Sequence, residues 1–298
     1  MKELDKSLKY ILPVGTLGKL QYTLAEVPFL QDQHLVLKLS SILTDNEGNA
    51  VNLAPSELTS LPPMADETSR LLLSGNALSS VIKMVAAKGE LDTVLTNEVL
   101  SGIVPMTTSA LHSVLPQVSR LLPKDQPLVI KIKLSDVPVV SLQNGEARVT
   151  LKATIEVLAR TRSGLTPLFK VDADIHLVGK ASITEGKLGI AFFLERVFLR
   201  LISSEIGNFD IKLVENWMKT ILQVEYMRVI NALNIELPLP KFSTMGYANG
   251  VVDISENTIV VHWCHKSLKK MDPNSCRGTS RQNRTPFLLF RVATWKKV

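Results

Sequence analysis

Residues 211–234 read IKLVENWMKTILQVEYMRVINALN, and the reading of this stretch decides the fold. Val214, Trp217, Met218, Ile221, Leu222, Val224, Met227, Ile230 and Leu233 recur at helical spacing, which predicts one helix from about Ile211 to Asn234. Asp210 stands at the N-cap position, and Phe209 stands where it could staple onto Val214. The apolar face is wider than packing on one flat surface requires. A helix of this length reaches roughly 36 Å.

The segments before it alternate with period two. Leu128, Ile130, Ile132 and Leu134 oppose Lys131 and Lys133. From Ala147 to Ala159, Val149, Leu151, Ala153, Ile155 and Val157 oppose Arg148, Thr150, Lys152, Thr154 and Glu156. From Leu168 to Gly179, Phe169, Val171, Ala173, Ile175 and Leu177 oppose Lys170, Asp172, Asp174 and His176. These are one-sided antiparallel strands, with turns predicted at Gln143-Asn144-Gly145 and Thr184-Glu185-Gly186. Between Leu188 and Leu201 the phase slips at Glu195-Arg196, the sign of a bulge. Strands of about twelve residues reach roughly 40 Å. That matches the helix, so the expected architecture is α+β, a long twisted antiparallel sheet wrapped along a long helix.

A shorter helix is predicted over Ala77 to Lys88, with Leu78, Val81, Ile82 and Val85 inward, Asn76 as N-cap and Gly89 as the stop. Another is expected near Thr108 to Leu115. Leu12 to Val51 holds an alternating strand (Leu35, Leu37, Leu39) and a turn at Asp45-Asn46-Glu47-Gly48, and Pro55 and Pro62-Pro63 then mark a linker.

The net charge of +6 is concentrated in residues 262–298, where nine Lys or Arg face only Asp272, leaving the remainder at −2. A slightly acidic body gives no reason to bind a polyanion, so no nucleic acid is expected as a partner. The basic tail offers at most weak, salt-sensitive contact with anionic membranes. It is expected to be poorly ordered and separable from the body at Val261. The N-terminus, Met1-Lys2-Glu3-Leu4-Asp5-Lys6, carries charges where a signal peptide needs apolar residues, so as written neither an export signal nor a membrane span is expected, which points to the cytoplasm.

Nothing in the chain calls for catalysis. It has no Gly-x-Ser-x-Gly, no His-Glu-x-x-His and no Gly-rich phosphate loop, and His34, His112 and His176 are isolated. His262, Cys264, His265 and Cys276 lack the spacing of a zinc finger, so neither metal nor cofactor is expected. Cys264 and Cys276 read as inert thiols, or as one disulfide in an oxidising compartment. The sequon Asn283-Arg284-Thr285 matters only in the secretory lumen and is weakened by Pro286.

The order of elements resembles a known family. A leader strand and proline linker precede strand Arg70 to Ser74, a helix from Asn76 and a turn-rich β region. The long helix from Asp210, the phrase Asn234-Ile235-Glu236-Leu237-Pro238-Leu239-Pro240 and a final hairpin follow. Over about Leu12 to Val261 this is similar to the C-terminal module of the bactericidal/permeability-increasing (BPI) and lipopolysaccharide-binding protein family, most of all to its long PLUNC branch, BPI fold-containing family B. The resemblance implies a super-roll of the TULIP type that takes phospholipid acyl chains between long helix and sheet, in a typically secreted family. It divides the chain into a remnant of the preceding module and its central-sheet strand (1–60), the lipid-binding module (61–261) and the tail (262–298), as a truncated or alternative product.

The residues expected to line an apolar pocket are Leu78, Val81, Ile82 and Val85 from the first helix, Ile155 and Ile175 from the sheet, and Val214, Met218, Ile221, Leu222 and Ile230 from the long helix. Filled core would read the same in sequence, and the resemblance favours the pocket. The competing expectation is a structural half-module without ligand, such as a nonfunctional splice product or a homodimer or heterodimer subunit paired through an exposed sheet edge.

Overall fold

A computed structural model describes residues 9–31, 34–51, 68–96, 104–143, 145–240, 250–264 and 287–293. The proline linker, His265, Cys276 and the sequon lie outside these residues.

Where one alternating leader strand was expected, the chain starts with β1 (Lys9–Val14), β2 (Gly18–Leu24), β3 (Phe29–Gln31), β4 (His34–Asp45) and β5 (Ala50–Val51). The turn at Asp45 is closed by its carboxylate, which accepts from the backbone N–H groups of Glu47 and Asn49 (2.9 and 2.8 Å), while Gly48 takes φ 88°. β6 (Thr68–Ser74) then feeds α1 (Gly75–Ala87). The cap is Ser74 rather than Asn76. Its hydroxyl accepts from the Asn76 N–H at 3.1 Å, because the chain is still extended at Ser74 and already helical at Gly75. At the other end Gly89 (φ 72°) donates to the Ala86 carbonyl and Glu90 to that of Val85, a Schellman closure that makes Gly89 the stop.

After β7 (Thr93–Thr96), the helix expected to reach Leu115 is a short turn, α2 (Thr108–His112), followed by another, α3 (Val118–Leu121). β8 (Leu128–Leu134), β9 (Val139–Gln143), β10 (Glu146–Thr161), β11 (Gly164–Thr184) and β12 (Lys187–Ser204) form the antiparallel body. With β13 (Glu236–Pro238) they make a seven-stranded sheet, in the order β13-β12-β11-β10-β8-β7 with β9 beside β10. The hairpin from β11 to β12 turns through Glu185 (φ 52°) and Gly186 (φ 77°).

The long strands exceed the expected twelve residues, β11 having 21 and spanning about 70 Å, so the equality with helix length does not hold. Alternation survives this length because bulges reset it. Register shifts leave Leu168 extra on β11 and Glu195 and Ile202 extra on β12, the first β12 site being where the phase slips in the sequence.

The long helix runs without interruption as α4 (Lys212–Ile221), a π-turn (Leu222–Tyr226) and α5 (Met227–Ala232). The Lys212 N–H donates to the Asp210 carboxylate at 3.0 Å, and Phe209 packs edge-on against Phe169 of β11, centroids 5.3 Å apart.

The second sheet has β14 (Val251–Ser255), β15 (Thr258–Cys264) and β16 (Phe287–Ala293), in the order β1-β2-β4-β16-β6-β15-β14 with β3 and β5 beside β4. The separation expected at Val261 falls inside β15, which pairs with β6 as far as Cys264 opposite Thr68. Within the tail, β16 runs parallel to β4 and β6 and lies between them. The backbone groups of β4 and β6 on the sides that face each other therefore find their partners in the tail. Removing residues 265–298 should lower stability by at least about 3 kcal/mol and unprotect the β4 and β6 amides in hydrogen exchange. Unchanged protection would show that the leader and body hold without β16.

Two further outcomes follow from particular positions. A Cβ on Gly179 would lie 2.7 Å from Ile190 Cγ2 and 3.0 Å from Phe192 Cε1, so Gly179→Ala should cost about 1–3 kcal/mol in chemical denaturation. On the second sheet His262 sits beside Arg70 and Asp253. Burial and Arg70 lower its pKa below the ordinary 6.5, with Asp253 (3.2 Å) opposing. The folded form therefore binds this proton less readily than the unfolded form. The resulting stability loss sets in as pH falls below about 6.5 and is complete below the folded pKa. His262→Gln should flatten Tm against pH in that window.

Candidate functional site

The inner face of the long helix packs along β12, with its π-turn also beside β7, and at its C-terminal end it shares a void with α1, β10, β11 and β12. Val214, Met218, Ile221 and Leu222 lie on one stripe of a regular helix, but at 100° per residue Ile230 would fall about 160° around from Val214. The π-turn inserts one residue and returns about 100° of that phase. Met227 and Ile230 are buried as a result, and Arg228 and Asn231 are exposed. This accounts for the broad apolar face in the sequence.

All eleven residues expected to line a pocket belong to one continuous apolar core. Leu78, Val81, Val85, Ile155, Ile175, Val214, Met218, Ile221 and Leu222 are wholly inaccessible, and Ile82 and Ile230 keep only 2% exposure. A void lies where the second half of the helix faces the sheet. Its walls are Ile82 and Leu91 from α1 and the turn after it, Val149 and Leu151 from β10, Leu177 from β11, Phe192 from β12, and Ile230 and Ile235 from the helix end. Ile82 and Ile230 are the predicted residues that reach it; the other nine are buried elsewhere in the same core. Every wall residue is apolar. The cavity volume is about 10 Å³, room for roughly one water.

Two polar side chains of the helix, overlooked in the apolar periodicity, pin these walls. The Tyr226 hydroxyl, fully buried, donates to the Leu91 carbonyl at 2.9 Å. Burial, reinforced by the Asp92 carboxylate, pushes its pKa well above the ordinary phenol value, so it stays a donor. The Asn231 amide pairs with both backbone groups of Phe192: the Phe192 N–H donates to Oδ1 at 2.8 Å, and Nδ2 donates to the Phe192 carbonyl at 2.9 Å. The only sequence signal for either is a polar residue beside the apolar stripe. A third polar residue, Glu225, is completely buried in the π-turn and pairs with Arg228 at 3.3 Å, as a buried carboxylate must.

Among the described residues no three His, Cys, Asp or Glu side chains form a metal-ligand group, and no helix is long and apolar enough to cross a membrane. Of the isolated histidines, His176 contacts the Thr150 hydroxyl at 3.2 Å on the outer face of the sheet, away from the void.

Comparison with known proteins finds relatives of this chain. The chain is 32% identical to BPI fold-containing family B member 4 of Homo sapiens over 261 residues, which cover 84% of the chain and 42% of that protein. It is also 32% identical to member 3 of Mus musculus, covering 84% of the chain and 54% of that relative, and 28% identical to human member 6, covering 84% and 56%. The chain thus spans about half the length of these relatives. Among solved structures, the crystal structure of lipopolysaccharide binding protein is similar at 14% identity and a TM-score of 0.49, covering 86% of this chain and 57% of that one. Residues 14–262 match the C-terminal domain of the LBP / BPI / CETP family, and the chain belongs to that family, with BPI fold-containing family B (PLUNC) proteins among its relatives.

Proposed function

We propose that this chain binds a lipid acyl chain, or another long apolar molecule, between the long helix and the sheet without transforming it. The observation that carries the reading is the void at that seam, with walls that present no polar group. Membership of a family whose members include a protein named for binding lipopolysaccharide supports it. In the form described the seam is closed, so an alkyl chain must displace side chains or part the helix from β12. Burying methylenes returns about 0.8 kcal/mol each, so even ten carbons can offset a substantial opening cost. Ile82 and Ile230 would touch the ligand first. Leu78, Val81, Val85, Ile155, Ile175, Val214, Met218, Ile221 and Leu222 would become wall as the opening extends along the helix.

The completeness of the packing favours a second reading, a half-module that binds no ligand and associates with another chain through a sheet edge. The experiment that separates the two is native mass spectrometry with lipid extraction on the purified chain. Lipid-loaded monomer is expected. Consistently lipid-free oligomer that also refuses a fluorescent phospholipid would establish the second reading.

The void also predicts a ligand-linked stability effect. Ile82→Ala should cost about 2–5 kcal/mol by enlarging the cavity. A saturating medium-chain alkyl ligand should then return more Tm to the variant than to the wild type. Equal shifts in both proteins would place the ligand elsewhere.

A further inference from the structure

We infer that Asn231 is the latch that controls admission of the apolar ligand, a positioning residue that acts through Phe192. The inference rests on the lipid-binding reading above and adds where the seam opens and what holds it shut.

The helix-side edge of β12 is closed in steps. β13 pairs with Lys187, Leu188 and Gly189. The Ile190 N–H then donates to the Ile235 carbonyl at 3.3 Å. At Phe192 the partner is no longer backbone: the Asn231 side chain supplies both the acceptor and the donor that a neighbouring strand would provide. Among the described residues no backbone partner follows on that side of β12. Asn231 is therefore the last stitch of the seam.

Its position couples the stitch to the void. Phe192, whose backbone it holds, is a wall residue on the strand side, and Ile230, its chain neighbour, is a wall residue on the helix side. Releasing the amide frees the two walls to separate. The other polar pin, from Tyr226 to Leu91, is fully buried and lies deeper in the core. Asn231 is exposed, so water competes for its hydrogen bonds, and this pin is the one that can open without first unpacking the interior. The Phe192 ring packs over Gly179, where even a Cβ would stand 3.0 Å from its Cε1. The ligand class that fits is a single unbranched alkyl chain, passing end-on between Phe192 and Ile230.

The test measures exchange rate, separately from occupancy, on the full chain. The probe is a phosphatidylcholine carrying one fluorescent acyl chain, zwitterionic across the pH range used, and transfer from vesicles is followed by stopped flow. Asn231→Ala should speed uptake and release together by about tenfold, the effect of losing roughly one well-made pair of hydrogen bonds. Asn216→Ala, on the exposed side of the same helix, should leave the rate unchanged. Asn231→Asp separates a latch from general loosening. As a carboxylate it repels the Phe192 carbonyl and should exchange quickly at pH 7.5. Protonated near pH 3, below the ordinary Asp value of about 3.9, it offers the same donor and acceptor as the amide and should slow toward the wild-type rate. Uptake by the wild type with rates unaltered in Asn231→Ala, or a pH-independent fast rate in Asn231→Asp, would overturn the latch and leave lipid binding standing. No uptake by any of the four proteins would overturn lipid binding and the latch with it.

Discussion

The long helix can bury one stripe along its whole length only by changing phase at Leu222–Tyr226. A regular helix laid against β10, β11 and β12 would carry Ile230 off the interface and bring Val229 toward it. The extra residue of the π-turn reverses that drift. The same insertion sets the polar positions: Tyr226 faces inward to reach Leu91 and Asn231 emerges at the β12 edge, while Glu225, buried within the turn, is balanced by Arg228. The strands meet the equivalent problem with bulges. Glu195 and Ile202 each absorb one residue of β12, so that Leu188, Ile190, Phe192 and Val197 all point at the helix despite the strand's length. Where β13 no longer covers β12, the bulges also disrupt the ladder that a second chain would need for pairing.

Much of this was legible in the sequence because period two and period 3.6 are direct images of burial. The alternations at Leu128, Ala147 and Leu168 found β8, β10 and β11, and the break at Glu195-Arg196 found the bulge. All eleven expected pocket residues are buried. Backbone choices carrying no periodic signal were not legible. Ser74 and Asn76 are both good caps, and only the dihedral at Ser74 separates them. The π-turn reads as a wide apolar face. The length of β11 was hidden by a bulge at Leu168, where two consecutive apolar residues, Leu168 and Phe169, are both buried. β16 sits in a segment dominated by charge, and its parallel pairing with β4 and β6 is a long-range contact that local composition cannot report.

Whether a buried apolar residue belongs to a permanent core or to a ligand chamber is not encoded in its hydrophobicity. Leu78 and Ile82 are equally buried neighbours on α1, yet Ile82 borders the void and Leu78 does not. The difference arises from how the opposing surfaces fit. At the void the strand residues Val149, Leu151 and Leu177, an aromatic ring at Phe192 and the end of a helix converge without filling the space between them.

The polar groups around that space divide the interface into a part that resists opening and a part that yields. Tyr226 is buried, un-ionised and bonded to a carbonyl with no water at hand, so breaking its bond carries the desolvation cost of two stranded groups. Asn231 is an exposed residue whose two bonds are only part-buried, so water can compete for them and the net cost of parting is correspondingly smaller. The helix is thus held firmly at its π-turn and loosely at its C-terminal end, beside the void. A hinge and a free edge on one helix follow from where two polar side chains fall relative to water, and the phase change at the π-turn sets both positions.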